Sequence, residues 1–420
     1  MSQNNLDALR NREYRLQIRV TKLRRQVFEQ TDPTASQTLL DELRMGEKEL
    51  AEVEKLRAAA QAADDNNNGT IINRKTDTHL LGPETTGLDS RLQLRMSQIP
   101  TAIYHLLDPQ TDPLMTCSLD NVSPRTRRIR ITSYIDGYSS HAVDTIELEA
   151  QSKHEFRQSP TLFPQRIRNV TELTRATLNV KLEDLDGDPG GVSRAIWTEL
   201  HKTYPLWLLA RTTAPLAVPD PTTGKLRDMT RYFGAFVTPN APSLMSFLRI
   251  AADAHPDKRL VGYQGDKAAG VRSQVKALFE ALKTSGNITY VNSVIAFSPE
   301  EGPSTQRVRL PRESLRDSQA NCIDGTVLFA SLLEGISLNP AIVVVPGHAF
   351  VGWETWDESG EWEYLETTMI GSHDFDAARQ SGTSTAGFYQ ELAKETDNPN
   401  KFRHWSLRDL RATHRITPME

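Results

Sequence analysis

The spacing of apolar residues changes along this chain, and that change restricts it to a multidomain fold. In the first segment Leu9, Leu16, Val20, Leu23 and Val27 recur at helical intervals, with arginines between them. Asp32-Pro33 interrupts the pattern, and Leu39, Leu43, Leu50 and Val53 then resume it. The spacing predicts an α-helical hairpin over residues 1–63, with coiled-coil character. Beyond Thr116 the period becomes two. Arg128-Ile129-Arg130-Ile131-Thr132 alternates, as do the runs 145–149 and 176–182, and Asp136-Gly137 and Asp186-Gly187 supply turns. Short alternating strands predict an immunoglobulin-like β-sandwich over 111–187. Residues 64–110, which open on Asp64-Asp65-Asn66-Asn67-Asn68-Gly69, are read as a linker and connecting segment. From residue 188 the signals mix. Helices are expected over 192–209, 244–254 and 271–283, and a strand over 288–297, giving an α+β domain over 188–420.

Composition narrows the chemistry. The net charge of −5 gives no drive toward nucleic acid or an acidic membrane surface. No apolar run is long enough to span a membrane. The arginine-rich start lacks the apolar core of a secretory signal. The two cysteines, Cys117 and Cys322, exclude a disulfide framework and point to a reducing cytoplasm. They are too few and too far apart for a thiolate zinc site, and no phosphate-binding glycine loop, HExxH or paired-carboxylate pattern occurs, so no metal and no cofactor is expected. His141, His154 and His373 have no ligand-type residues at ligand spacing. Cys117, in an alternating run, is read as a buried structural thiol.

Cys322 has a different setting. Asn321-Cys322-Ile323-Asp324-Gly325 opens a run of small and apolar residues that reads as a buried helix, with the thiol in its first turn. A helix N-terminus favours a thiolate, and its free amides suit an oxyanion. Asn321 is the expected cap. An apolar strand, Ala341-Ile342-Val343-Val344-Val345, then ends in Pro346-Gly347-His348, and a second strand follows. His348 at this junction is placed to take a thiol proton. On the third strand, Trp362-Glu363-Tyr364-Leu365-Glu366, Glu366 is the expected acceptor that fixes the imidazole tautomer. Asp357 is a competing carboxylate in a turn. Gln319, shortly before the thiol, and Gln264 are candidate side-chain donors to an oxyanion, beside the Cys322 amide.

This order of nucleophile, base and acid, on a helix followed by strands, resembles the core of the transglutaminase-like superfamily, which is related to papain and includes bacterial cysteine proteases. The resemblance covers roughly residues 271–370. It implies an α+β papain-like core, a covalent thioester intermediate, and Cys322, His348 and Glu366 as a catalytic triad. The family usually places an aspartate where this chain has Glu366.

The expected function is an intracellular cysteine peptidase acting on a protein or peptide substrate. A protein-glutamine acyltransferase or deamidase would use the same triad, and a non-catalytic interaction scaffold would use only the hairpin and the sandwich. The layout of small helical module, sandwich and thiol hydrolase suggests a bacterial defence or signalling effector. Because two helices bury little surface alone, the hairpin is a candidate docking module for a protein partner.

Overall fold

The computed structural model describes residues 33–67, 87–187, 196–219, 226–264, 267–292 and 305–419, together with positions 9, 12, 13, 15–17, 19, 20, 22, 23, 26 and 27. The chain divides into two compact units, each assembled from separated stretches. One comprises Met1–Asn73, Pro242–Val291 and Leu315–Arg408; the other comprises Arg74–Ala241, Asn292–Ser314 and Asp409–Glu420.

The second unit is β-rich. Its main strands are β1 (Leu88–Leu94), β2 (Gln98–Ile99), β3 (Met115–Asn121), β4 (Arg127–Ile135), β5 (Ala142–Leu148), β6 (Lys153–Gln158), β7 (Thr174–Asp184) and β8 (Trp197–Leu208). They form a five-stranded sheet in the order β2-β8-β7-β4-β5 and a three-stranded sheet in the order β1-β3-β6. The larger sheet is curled and not closed. Alternation explains the core: Ile129, Ile131 and Ile135 of β4 and Leu178, Val180 and Leu182 of β7 are buried, with more exposed residues between them. One ion pair is fully enclosed, Arg127 Nε to Asp184 Oδ2 at 2.8 Å.

Where a helix is expected over 192–209, Trp197–Leu208 form a strand instead, and residues 192–195 lie outside the described residues. Strand β8 runs antiparallel to β7 along its length, with a register shift at Leu182/Glu183. The apolar cluster of Leu200, Leu206 and Leu208 is compatible with either period, but Pro205 settles the matter. It would remove a helical hydrogen bond and clash with the preceding turn, whereas exposed in a strand it costs much less. The cross-strand partner lies far back in sequence, where local periodicity does not reach.

The other unit is α-rich. It contains helices α1 (Pro33–Asn67), α2 (Pro242–Ala254), α3 (Lys267–Thr284), α4 (Cys322–Gly335) and α5 (Phe375–Glu395). Its strands are β9 (Thr289–Tyr290), β10 (Gln319–Ala320), β11 (Pro340–Val345), β12 (His348–Glu354), β13 (Trp362–Leu365) and β14 (Arg403–Ser406). Four of these make an antiparallel sheet in the order β13-β12-β11-β14, while β9 and β10 pair in parallel. The strand expected over 288–297 is short, and its part beyond residue 292 lies outside the described residues.

Every residue of β11 is buried, as a strand covered on both faces requires. Val343 and Val345 join Phe350, Tyr364 and the α5 residues Ala386, Tyr389 and Leu392 in one cluster. Ile342, Val344 and Val351 point the other way by alternation, and α4 packs against β11 and β12 there. All residues from Ile323 to Leu333 of α4 are buried, so this helix is central to the unit.

The described residues between positions 9 and 27 are helical and pack against α1 through Leu16, Val20, Leu23, Leu43, Leu50 and Val53, with Phe388 of α5 against the same cluster. Glu47 accepts a 3.0 Å bond from Lys401 Nζ, and both side chains are buried. Arg44 and Lys48 meet Glu395 nearer the surface. Among the described residues no helix is long and apolar enough to cross a membrane.

Removing one partner of a buried pair strands the other charge. Glu47→Ala is therefore expected to lower unfolding free energy by about 3 kcal/mol, whereas Lys48→Ala, at the exposed pair, should cost under about 1 kcal/mol. Urea denaturation of the two variants checks this; equal effects would contradict it.

Candidate active site

The thiol of Cys322 is held by the start of α4. Asn321 has extended backbone angles and caps the helix: its side chain accepts from the Asp324 amide at 2.9 Å, and Asp324 Oδ2 accepts from the Asn321 amide at 3.2 Å. This reciprocal box satisfies two of the amides that a helix N-terminus leaves open. The amides of Cys322 and Ile323 have no intrahelical acceptor and remain as donors beside the sulfur. Approach to the thiol is set by β10, which pairs with β9. Thr289 donates to Ser318 O at 3.0 Å and Val291 to Ala320 O at 3.0 Å. The thiol is partly exposed. Cys117, in contrast, lies in β3 with no exposed surface, and burial pushes its thiol up to about 12.

His348 is delivered by a two-residue hairpin. Val345 and His348 pair across it, and between them Pro346 fixes one corner while Gly347 takes φ 76°, a conformation that side chains rarely adopt. The ring is 11% exposed and stacks at 25° on Phe350. Its Nε2 lies 2.8 Å from Glu366 Oε2. The Cys322 side chain lies near enough to act on the ring electrostatically. With Nε2 taken by the carboxylate, Nδ1 is the nitrogen left for sulfur.

Glu366 falls just past β13, as the cap of a single 3-10 turn, Thr367–Met369. It has no exposed surface. Oε1 accepts from the Thr368 amide at 3.0 Å and from Thr368 Oγ1 at 2.7 Å, which leaves Oε2 for the histidine. The turn approaches α4 closely because residue 325 is glycine. A Cβ there would lie 2.9 Å from Thr367 Oγ1 and 3.1 Å from Thr367 Cβ.

Electrostatics follow from this geometry. Burial works against a charged imidazole, but the Glu366 carboxylate, its hydrogen bond and the neighbouring Cys322 side chain outweigh it and lift His348 to about 10. The ring is therefore held as an imidazolium beside the sulfur, the state that stabilises a thiolate.

The remaining candidates are placed differently. Gln319 lies in β10, its backbone paired with Thr289, three residues before the thiol. Gln264 ends a short turn, Gly262–Gln264, whose Gly262 abuts Ile336 O at the C-terminal end of α4. A helix of this length separates its ends by about 20 Å, so Gln264 is not brought to the thiol. Asp357 pairs with Arg408 in the turn after β12, at the opposite end of that strand from His348. The sequence reading missed Tyr290. Burial and then the charges of Cys322, Glu366 and Asp324 raise its hydroxyl, which places it beside the site. No local pattern marks it, because its position depends on the β9–β10 pairing. Among the described residues no three His, Cys, Asp or Glu side chains cluster as metal ligands.

Comparison with known proteins adds no family. No protein-family model matches the chain, and no curated protein does. One solved structure similar over part of the chain is native alpha-2-macroglobulin from Escherichia coli, spanning domain MG7 to the C-terminus. It is 11% identical with a TM-score of 0.21, over 49% of this chain and 35% of that one. At that TM-score the likeness carries no argument about fold or activity.

Two outcomes are expected. A residue larger than glycine at 325 must displace the turn that carries Glu366, so Gly325→Ala should slow iodoacetamide alkylation of Cys322 at neutral pH by about tenfold; an unchanged rate would show that the turn yields freely. For stability, His348 has a folded pKa raised from 6.5 to about 10. Its stabilisation is fully present below pH 6.5 and is lost as pH rises through about 10. The advantage of wild type over His348→Gln in chemical denaturation should shrink across that window; a flat difference would refute the charged ring.

Proposed function

We propose that the chain is a cysteine peptidase acting through Cys322, His348 and Glu366, with a transglutaminase-like, papain-related core in its α-rich unit and an immunoglobulin-like sandwich in its β-rich unit. The observation that carries this reading is the 2.8 Å bond from His348 Nε2 to the buried Glu366 carboxylate, on a ring that also feels the Cys322 side chain at the start of a buried helix. A thiol at the N-terminus of a buried helix, a histidine at the start of the facing strand and an acid just after the next strand support the core assignment.

The chemistry follows from these positions. The Cys322 thiolate attacks a peptide carbonyl and forms a carbon–sulfur bond, while the oxyanion takes the Cys322 amide, with the Gln319 side-chain amide as the second candidate donor. His348 gives its proton to the departing amine as the carbon–nitrogen bond breaks. The neutral ring then removes a proton from water, which attacks the thioester and releases the acid and the thiol. Glu366 orients the ring throughout and balances its charge. Two free thiols fit a reducing, cytoplasmic setting, and the role of a defence or signalling effector with a protein partner on the hairpin belongs to the same proposal.

Incubation of wild type and Cys322→Ala with protein substrates, with and without iodoacetamide, provides the test. Fragments are expected only from unalkylated wild type, and His348→Ala should reduce the rate by at least about a thousandfold. Identical fragments from Cys322→Ala would exclude the peptidase. Incorporation of a labelled amine without cleavage would instead assign the same thiol to acyl transfer, and release of ammonia from glutamine would assign it to deamidation.

A further inference from the structure

Helix α5 touches both the hairpin and the elements that carry the thiol site. Its first turns hold the acid. The Glu366 amide donates to Ala378 O at 3.0 Å, and Ala378 is buried. One turn further on, α5 lies directly on β13 at Gly382, where a Cβ would come within 2.7 Å of the Leu365 amide nitrogen. The backbone that presents the Glu366 carboxylate is thus fixed by where α5 sits.

The far half of α5 is held by the hairpin. Phe388 packs on the hairpin cluster of Leu16, Val20, Leu23, Leu43, Leu50 and Val53. It packs as well on the cluster that contains Phe350 and Tyr364, and Phe350 is the ring on which His348 stacks. Glu395, the last residue of α5, pairs with Arg44 and, at 3.0 Å, with Lys48. Lys401, just beyond the helix, reaches the buried Glu47. The hairpin therefore grips one end of a continuous helix whose other end bonds the acid, and packed side chains on a continuous element carry displacement from one end to the other.

We propose that Phe388 is a positioning residue: seated between the hairpin and the cluster that contains Phe350, it holds α5 so that Glu366 and His348 meet the thiol, and the reactivity of Cys322 depends on the seated hairpin. This rests on the thiol-site reading given above. A protein that binds the hairpin acts on the site to the extent that it prefers the seated or the unseated state. Packing that served stability alone would leave the pH dependence of thiol reactivity unchanged in the folded protein.

Alkylation of the full chain by iodoacetamide at pH 6 and pH 9, mapped to Cys322 by mass spectrometry, tests this. An ordinary thiol reacts about 200-fold more slowly at the lower pH, whereas a thiol paired with an imidazolium keeps most of its reactivity there. Phe388→Ala is expected to cut the pH 6 rate by about tenfold and the pH 9 rate by less than about twofold. Phe388→Leu, which keeps an apolar contact on both clusters, should lie between Phe388→Ala and wild type. The double variant Arg44→Ala/Lys48→Ala frees the end of α5 without touching the core, so it decides the matter if Phe388→Ala does not fold; its pH 6 rate should fall by about threefold. Met45→Ala, at an exposed position of α1, should match wild type. A wild type that itself slows by about 200-fold would overturn both this inference and the thiol-site reading. A wild type that stays reactive at pH 6 would overturn the positioning role alone if Phe388→Ala and the double variant keep its ratio of rates, or if Met45→Ala loses as much as they do.

Discussion

The fixed carboxylate of Glu366 is the interaction on which the arrangement around the thiol depends. A buried carboxylate is tolerated only when its oxygens are satisfied. Here one oxygen is held by the amide and hydroxyl of Thr368 and the other by His348. The first pair of bonds fixes the carboxylate, and the carboxylate fixes the ring through Nε2. Each element supplies one constraint: the 3-10 turn sets Glu366, the hairpin at Gly347 sets His348, and the capped helix sets Cys322. The acid could not take this position without the close approach allowed at Gly325, so a residue with no side chain governs the spacing between a helix and a turn that never pair through their backbones.

The two cysteines show how environment divides one residue type into two chemistries. Cys117 faces a sheet interior, with no charge to stabilise a thiolate, and its proton is retained far above neutral pH. Cys322 stands at open amides and against a cationic ring. Nothing in side-chain chemistry distinguishes them; the distinction lies in which end of which element each occupies.

Legibility in the sequence followed the range of the responsible interaction. The capped helix, the two strands flanking Pro346-Gly347 and the placement of His348 between them were readable, because caps, turns and apolar runs are local signals. Strand β7 was readable through strict alternation in Ala176-Thr177-Leu178-Asn179-Val180. Its neighbour β8 was misread, because aromatic and leucine clusters satisfy either period and the decisive contact is a long-range pairing; Pro205 was the available local clue. Gln264 was proposed from residue type alone, and tertiary placement at the far end of α4 removes it. Tyr290 was invisible because its relation to the thiol arises only when β9 pairs with β10. The hairpin was legible as two helices, but its burial against Phe388 and the Glu47–Lys401 pair was not, since α5 lies hundreds of residues away.

The division of the chain bears on the order in which the protein can assemble during synthesis. Each compact unit is built from three separated stretches, and the thiol-bearing unit includes residues at both the start and the end of the span it covers. The hairpin leaves the ribosome well before the lysine that neutralises Glu47 and the helix that supports its leucines. Through the synthesis of the 354 residues from Glu47 to Lys401 the nascent chain therefore holds a buried-type acid that has not met its lysine. A chain threaded in this way exposes adhesive surface for longer than one whose domains close in sequence, and Glu47 meets its lysine only once residue 401 has been made.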